Sequence, residues 1–175
     1  MRRFLAGDPD GFAGIVERWQ APLLNLAYRF VRDRDRAEDL AQDAFVQAYR
    51  RLDRFRGDSA FSTWLFSVAL NVYRSALRRR PVPAVPLDAV AERIDPRQPV
   101  ELALADAERD ELVRRAVLAL PPRYRDALIV YYFNDRNLAE TARVLAVPEG
   151  TAKALLHRGR NLLRRKLGGP DGEIP

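Results

Sequence analysis

Apolar residues recur along this chain at helical intervals. Phe12, Ile15, Val16 and Trp19 follow the i, i+3, i+4, i+7 spacing of a single buried stripe. Pro22 fits the first turn of a second helix with the stripe Leu23, Leu26, Ala27, Phe30 and Val31. Asp35 is placed to cap a third helix, which turns Ala37, Leu40, Ala41, Ala44, Phe45, Ala48 and Leu52 inward. A fourth is expected from about Ser62 to Arg79, with Trp64, Leu65, Val68, Ala69 and Val72 apolar. No stretch of any length alternates with period two, so the pattern predicts an all-α fold.

Prolines 81, 83, 86, 96 and 99 interrupt the middle of the chain, which also lacks aromatics to pack. An extended linker is expected there. From about Pro99 the helical period returns through Leu102, Leu104, Leu112, Val113, Val117 and Leu120, then Pro121-Pro122 and Tyr124 to Phe133. Leu138 to Leu145 and Gly150 to about Leu167 flank the break Ala146-Val-Pro-Glu149. A short helix, a tight turn and a longer basic helix make a helix-turn-helix. The expected organisation is two helical domains, residues 1–80 and 106–168, joined by a linker at 81–105, with a disordered tail at 169–175.

Charge reinforces this division. The 175 residues carry a net +6, distributed as +5 over residues 1–80, −4 over 81–110 and +5 over 111–175. Two basic lobes around an acidic middle suit two polyanion-binding units. The chain has no cysteine, which excludes disulfides and thiolate chemistry. No apolar run approaches the ~18 residues of a spanning helix, and no apolar core follows Arg2 and Arg3 as in a secretory signal. No membrane insertion is expected, and the cytoplasm is the expected location.

Three constellations carry candidate chemistry. Phe55-Arg-Gly-Asp-Ser-Ala-Phe-Ser-Thr-Trp-Leu65 interleaves aromatics with donors and an arginine, which suits the stacked bases and charged backbone of single-stranded nucleic acid. Trp64 and Leu65 also serve a core. Ser67, Asn71, Arg74 and Arg78 share one face of the helix behind it, and Asn71 can bond a base edge. On the last helix Lys153, His157, Arg160 and Arg164 fall within a narrow arc beside an apolar seam, as in a recognition helix of the major groove. The helix dipole accounts for Arg164, Arg165 and Lys166 but not for Lys153 near the N-terminus. Glu38, Asp39, Gln42 and Asp43 form an acidic face on a basic lobe, which points to a basic protein partner rather than DNA.

The run Phe55 to Leu65, with Ala37-Glu-Asp-Leu-Ala-Gln-Asp-Ala-Phe45 before it, resembles region two of the extracytoplasmic-function sigma factors of bacteria. The pattern Pro-x-Gly-Thr-x-Lys-x-x-x-His-Arg-x-Arg, present as Pro148 to Arg160, resembles region four of the same family. The resemblance implies partners: core RNA polymerase, through the clamp coiled coil of its largest subunit and its flap, promoter DNA, and an anti-sigma factor. It implies docking on polymerase by Glu38, Asp39, Gln42 and Asp43. It assigns the downstream (minus ten) element, as melted strand with a flipped base, to Phe55, Arg56, Gly57, Asp58, Ser59, Phe61, Ser62, Thr63, Asn71, Arg74 and Arg78. It assigns the upstream (minus thirty-five) element to Thr151, Lys153, Ala154, His157, Arg158, Arg160 and Arg164.

Several positions depart from the family pattern. Thr141 stands where an apolar residue is preferred, and Ala146 where the turn usually has glycine, costing roughly 1 kcal/mol if that position needs φ > 0. Ser67, Leu70, Ala154 and Leu155 replace groups that are often basic or polar. Two other classes compete with the sigma-factor reading. A stand-alone helix-turn-helix regulator accounts for residues 121–166 but leaves the Phe55 to Leu65 run and the acidic helix unexplained. A nucleic-acid-processing enzyme needs a catalytic cluster, whereas this chain has one histidine, no Gly-Lys-Thr/Ser phosphate loop and no His-Glu-x-x-His pair. No cofactor, metal or catalytic residue is expected.

Overall fold

A computed structural model describes residues 10–79, 102–133 and 137–168. These residues form seven α-helices and no strand: α1 (Asp10–Val31), α2 (Arg34–Arg50), α3 (Phe61–Arg79), α4 (Leu102–Leu118), α5 (Pro122–Phe133), α6 (Leu138–Leu145) and α7 (Glu149–Lys166). A 3-10 turn, Leu52–Arg54, lies between α2 and α3. The chain divides into two compact units, residues 1–82 with 139–148 and residues 83–138 with 149–175. The expected linker falls mostly on residues 81–101, outside those described, and its last four residues begin α4. The expected tail also lies outside the described residues.

In the first unit, α1 runs unbroken through Pro22, where two helices were expected. Proline removes one backbone bond at a cost of about 3 kcal/mol in a helix interior. The apolar stripe Ile15, Trp19, Leu23, Leu26 and Phe30 keeps its phase across Pro22, so one continuous helix buries all of it except the half-buried Trp19. Packing outweighs the proline.

Arg32 ends α1 in the left-handed region, at φ 55, with its N–H donating to the Tyr28 carbonyl at 2.9 Å. Asp33, not Asp35, then caps α2, its carboxylate accepting the Arg36 N–H at 3.0 Å. Such a cap is worth about 1 kcal/mol. Asp35 sits in the first turn, where the helix dipole favours a carboxylate.

The core of this unit joins Leu23, Leu26 and Phe30 of α1 to Ala37, Ala44 and Ala48 of α2 and Leu65, Phe66 and Leu70 of α3. The small residues of α2 allow close approach, and the large ones fill the space on either side. Tyr73 is fully buried, and its hydroxyl donates to the Leu23 carbonyl at 3.0 Å, tying α3 to α1. Burial pushes its phenol well above its ordinary pKa.

In the second unit, α5 and α7 pack closely through Gly159. A Cβ there would meet Leu128 Cγ at 3.3 Å and Tyr124 Cβ at 3.4 Å. Ala116, Leu120, Ala127, Val130, Ala152 and Leu156 complete this core. Arg125 pairs with the buried Asp126 at 3.2 Å. Among the described residues no helix is long and apolar enough to cross a membrane.

Candidate polymerase and nucleic-acid interfaces

On α2, Glu38, Asp39, Gln42 and Asp43 are all exposed, and different members of the set border different grooves. Glu38 and Gln42 rim an apolar groove of about 690 Å³ between α1 and α2, with Phe12, Val16, Leu24, Phe45, Val46 and Tyr49 among its lining. Val46 is 41% and Tyr49 52% exposed. Phe12 meets Tyr49 edge-on at 5.1 Å and Phe45 at 6.4 Å, so the groove wall is braced. Glu38 is partnered at 3.1 Å by Arg34 on its own helix, an exposed pair that contributes little. Asp43 instead lines a second groove of about 470 Å³, opposite Asn71, Ser75, Arg78 and Arg79 of α3. Asp39 lines neither.

The apolar groove was missed from the sequence. Its only signal was that Val46 and Tyr49 are large residues off the buried stripe of α2.

The Phe55 to Thr63 segment turns on Gly57, whose φ of 81 lies in the left-handed region. Arg56, Gly57 and Asp58 are exposed, while Phe55, Ser59, Phe61 and Ser62 are half-buried. Thr63, grouped with them by sequence, is buried at 3% exposure. The rings of Phe55, Phe61 and Trp64 close on one another at 5.4–5.6 Å between centroids. Trp64 is therefore half-exposed in an aromatic cluster under the loop rather than a core residue like the fully buried Leu65.

Seven-residue spacing puts Trp64, Asn71 and Arg78 on one face of α3, each about 10 Å from the next. Asn71 and Arg78 are exposed and share the second groove, Arg74 is half-buried and does not line it, and none of the loop residues reaches it. Ser67 spends its hydroxyl on the Trp64 carbonyl at 2.7 Å. Leu70 is fully buried, so its apolar character is a packing requirement rather than a missing phosphate contact.

α6 ends in a left-handed turn. Val147 N–H bonds the Ala142 carbonyl at 3.0 Å and Ala146 N–H bonds that of Arg143 at 3.2 Å, the paired closure of a Schellman cap. Ala146 has a φ of 56. This position does require the left-handed conformation, and alanine bears the cost. Thr141 is fully buried on α6.

Along α7 the predicted basic stripe changes character. Thr151, Lys153, Ala154, His157 and Arg158 are exposed, whereas Arg160 and Arg164 are half-buried. Asn161 Nδ2 lies 3.2 Å from His157 Nε2, and Arg164 reaches Asn161 Oδ1 at 3.5 Å. Arg164 Nε is buried and finds no hydrogen-bond partner among the described residues. Arg160 Nε donates to the Tyr132 hydroxyl at 2.8 Å. The polar stripe of α7 is thus open to solvent as far as Arg158, whereas Arg160 is drawn onto Tyr132 of α5 and Arg164 onto Asn161 of its own helix. Among the described residues no cluster of three or more histidines and carboxylates could hold a metal.

Two helical units, one with an apolar groove rimmed by Glu38, Gln42 and Arg50 and one with a basic terminal helix, are what a family of transcription factors shares. Residues 15–81 match Sigma-70 region 2, and residues 110–163 match Sigma-70, region 4. The chain is 34% identical to the ECF RNA polymerase sigma factor SigW of Bacillus subtilis, over 92% of this chain and 91% of that protein. It is 34% identical to the ECF RNA polymerase sigma-E factor of Escherichia coli K12, over 95% and 92%. Among solved structures it resembles CnrH in complex with the cytosolic domain of CnrY, at 25% identity and TM-score 0.67 over 93% of this chain and 91% of that one. It also resembles the sigma factor RpoE in complex with the anti-sigma factor NepR from Bartonella quintana, at 25% identity and TM-score 0.63 over 91% and 98%. The chain belongs to the ECF RNA polymerase sigma factors, and its role is promoter-specific transcription initiation.

Proposed function

We propose that the two units divide initiation between them. The first docks on core RNA polymerase by the α1–α2 groove and its Glu38–Gln42 rim, which receive the clamp coiled coil of the largest subunit. The same unit holds the melted downstream element, with Phe55, Phe61 and Trp64 as stacking surfaces and Asn71 and Arg78 meeting a base edge and the backbone. The second unit reads the upstream element as duplex through Thr151, Lys153, His157 and Arg158. Such a factor works in the cytoplasm, where polymerase is, and the chemistry belongs to polymerase. The relatives solved with CnrY and NepR support an anti-sigma factor as a further partner.

The observation that carries this reading is an open apolar groove on one unit and an exposed basic N-terminal half of α7 on the other. A duplex, whose outer surface is charge, has no use for the first, which fits a protein partner. Run-off transcription with core polymerase on a promoter library tests the proposal. Discrete transcripts that require both this chain and core are expected. Duplex binding with no template-specific transcript would favour a stand-alone regulator.

A further inference from the structure

Arg160 is held in place before any DNA arrives. Its Nε donates to the Tyr132 hydroxyl at 2.8 Å, and its guanidinium carbon lies 5.4 Å from the Tyr132 ring and 5.6 Å from the Tyr131 ring. The two rings stand edge to face, 84° apart in plane and 5.1 Å between centroids, so they form a corner around the cation. Tyr132 is 59% exposed, too exposed for its presence to be explained by core packing.

A guanidinium has five N–H groups. With Nε–H committed to Tyr132, the four on the two Nη atoms remain, in a planar fork that matches phosphate oxygens. An arginine that reads a base must extend into the groove, whereas this one is drawn back toward α5. An unrestrained arginine also loses rotamer freedom on binding, and here that freedom is already lost. We propose that Tyr132 is a positioning residue for promoter binding, holding Arg160 as a phosphate anchor beside the recognition helix rather than as a base reader. The proposal rests on α7 as the duplex-binding helix.

The test uses the full chain and two probes, a duplex that the unmodified chain selects from a random pool and an unselected duplex of equal length. Affinity is measured over a salt series for Tyr132→Phe, Arg160→Ala, the double variant and Lys153→Ala. Tyr132→Phe, which keeps the ring, is expected to weaken binding to both duplexes by about three- to tenfold without changing the melting temperature. Arg160→Ala is expected to weaken both and to lower the salt slope by about one. The double variant should bind no more weakly than Arg160→Ala alone, an outcome that a merely structural tyrosine would not give. Unchanged affinity in Tyr132→Phe, equal weakening in both backgrounds, or an Arg160→Ala effect confined to the selected duplex would overturn the proposal. Lys153→Ala separates the two levels. If it weakens binding while Tyr132→Phe does not, only the positioning role fails. If it too has no effect, α7 is not the duplex-binding helix and both readings fall.

Discussion

The exposed faces of α3 and α7 look alike in sequence, each a polar and basic stripe at helical spacing, but the structure treats them differently. On α3 the stripe joins a half-buried aromatic cluster at Trp64 to a groove at Asn71 and Arg78, with Asp43 of α2 opposite. On α7 Lys153, His157 and Arg158 are exposed, whereas Arg160 is held by two tyrosines and Arg164 by an asparagine. A surface of rings and concavities suits an unstacked base, which offers a face and an edge. Exposed cations on a helix suit a duplex, whose outer surface is charge. The same residue types support different targets because of what lies beside them.

That contrast can be broken in order of expected effect. Asn71→Ala should reduce open-complex formation on matched duplex by about tenfold, the scale of one lost base-edge bond, while leaving upstream duplex binding unchanged. Permanganate footprinting on duplex and premelted templates measures it, and full rescue by the bubble would assign Asn71 to another step. Lys153→Ala should weaken duplex binding several-fold and lower the salt slope by about 1, leaving core binding intact. A loss that did not vary with salt would remove the distinction between the two faces. Ala146→Gly should raise stability by about 1 kcal/mol in denaturant unfolding, because glycine occupies the left-handed turn without strain. A destabilised variant would mean that the turn before α7 is not set as described.

Local pattern and tertiary placement account for what was legible in the sequence. The stripe Leu23, Leu26, Ala27, Phe30, the bounds of α6, and the special demand on position 146 follow from periodicity and turn chemistry, which are local. Pro22 was misread because its fixed φ suits a helix start as well as a tolerated interior site. The unbroken phase of Ile15, Trp19 and Leu23 was the signal that decided between them. Asp33 and Asp35 both suit a cap, and only the backbone left by Arg32 selects the first. The apolar groove and the Tyr132–Arg160 bond were not legible. Each depends on two helices meeting, α1 with α2 and α5 with α7, and no spacing within one helix encodes that meeting. Trp64 illustrates the boundary: its aromatic character was visible, but its partners Phe55 and Phe61 were not.

Buried Tyr73 offers a check on the first unit alone. Its phenol ionises less readily folded than unfolded, so its contribution is complete below the ordinary tyrosine pKa of about 10 and is lost as pH rises through the higher folded value. Chain stability is therefore expected to fall above about pH 10. In Tyr73→Phe this part of the fall should vanish, along with about 1 kcal/mol of stability from the bond to Leu23. Parallel pH profiles for the two chains would contradict the assignment.

The central claim is that polymerase docking and duplex reading reside on different units. It is tested most directly by the affinity of the full chain for core polymerase when the groove carries Val46→Asp with Tyr49→Asp. Both side chains are exposed, so the fold is expected to survive. Two carboxylates in an apolar contact should cost at least about 3 kcal/mol, roughly a hundredfold in affinity. Binding to the selected duplex should be unchanged. Core binding at the affinity of the unmodified chain, or an equal loss for duplex and core, would contradict the account.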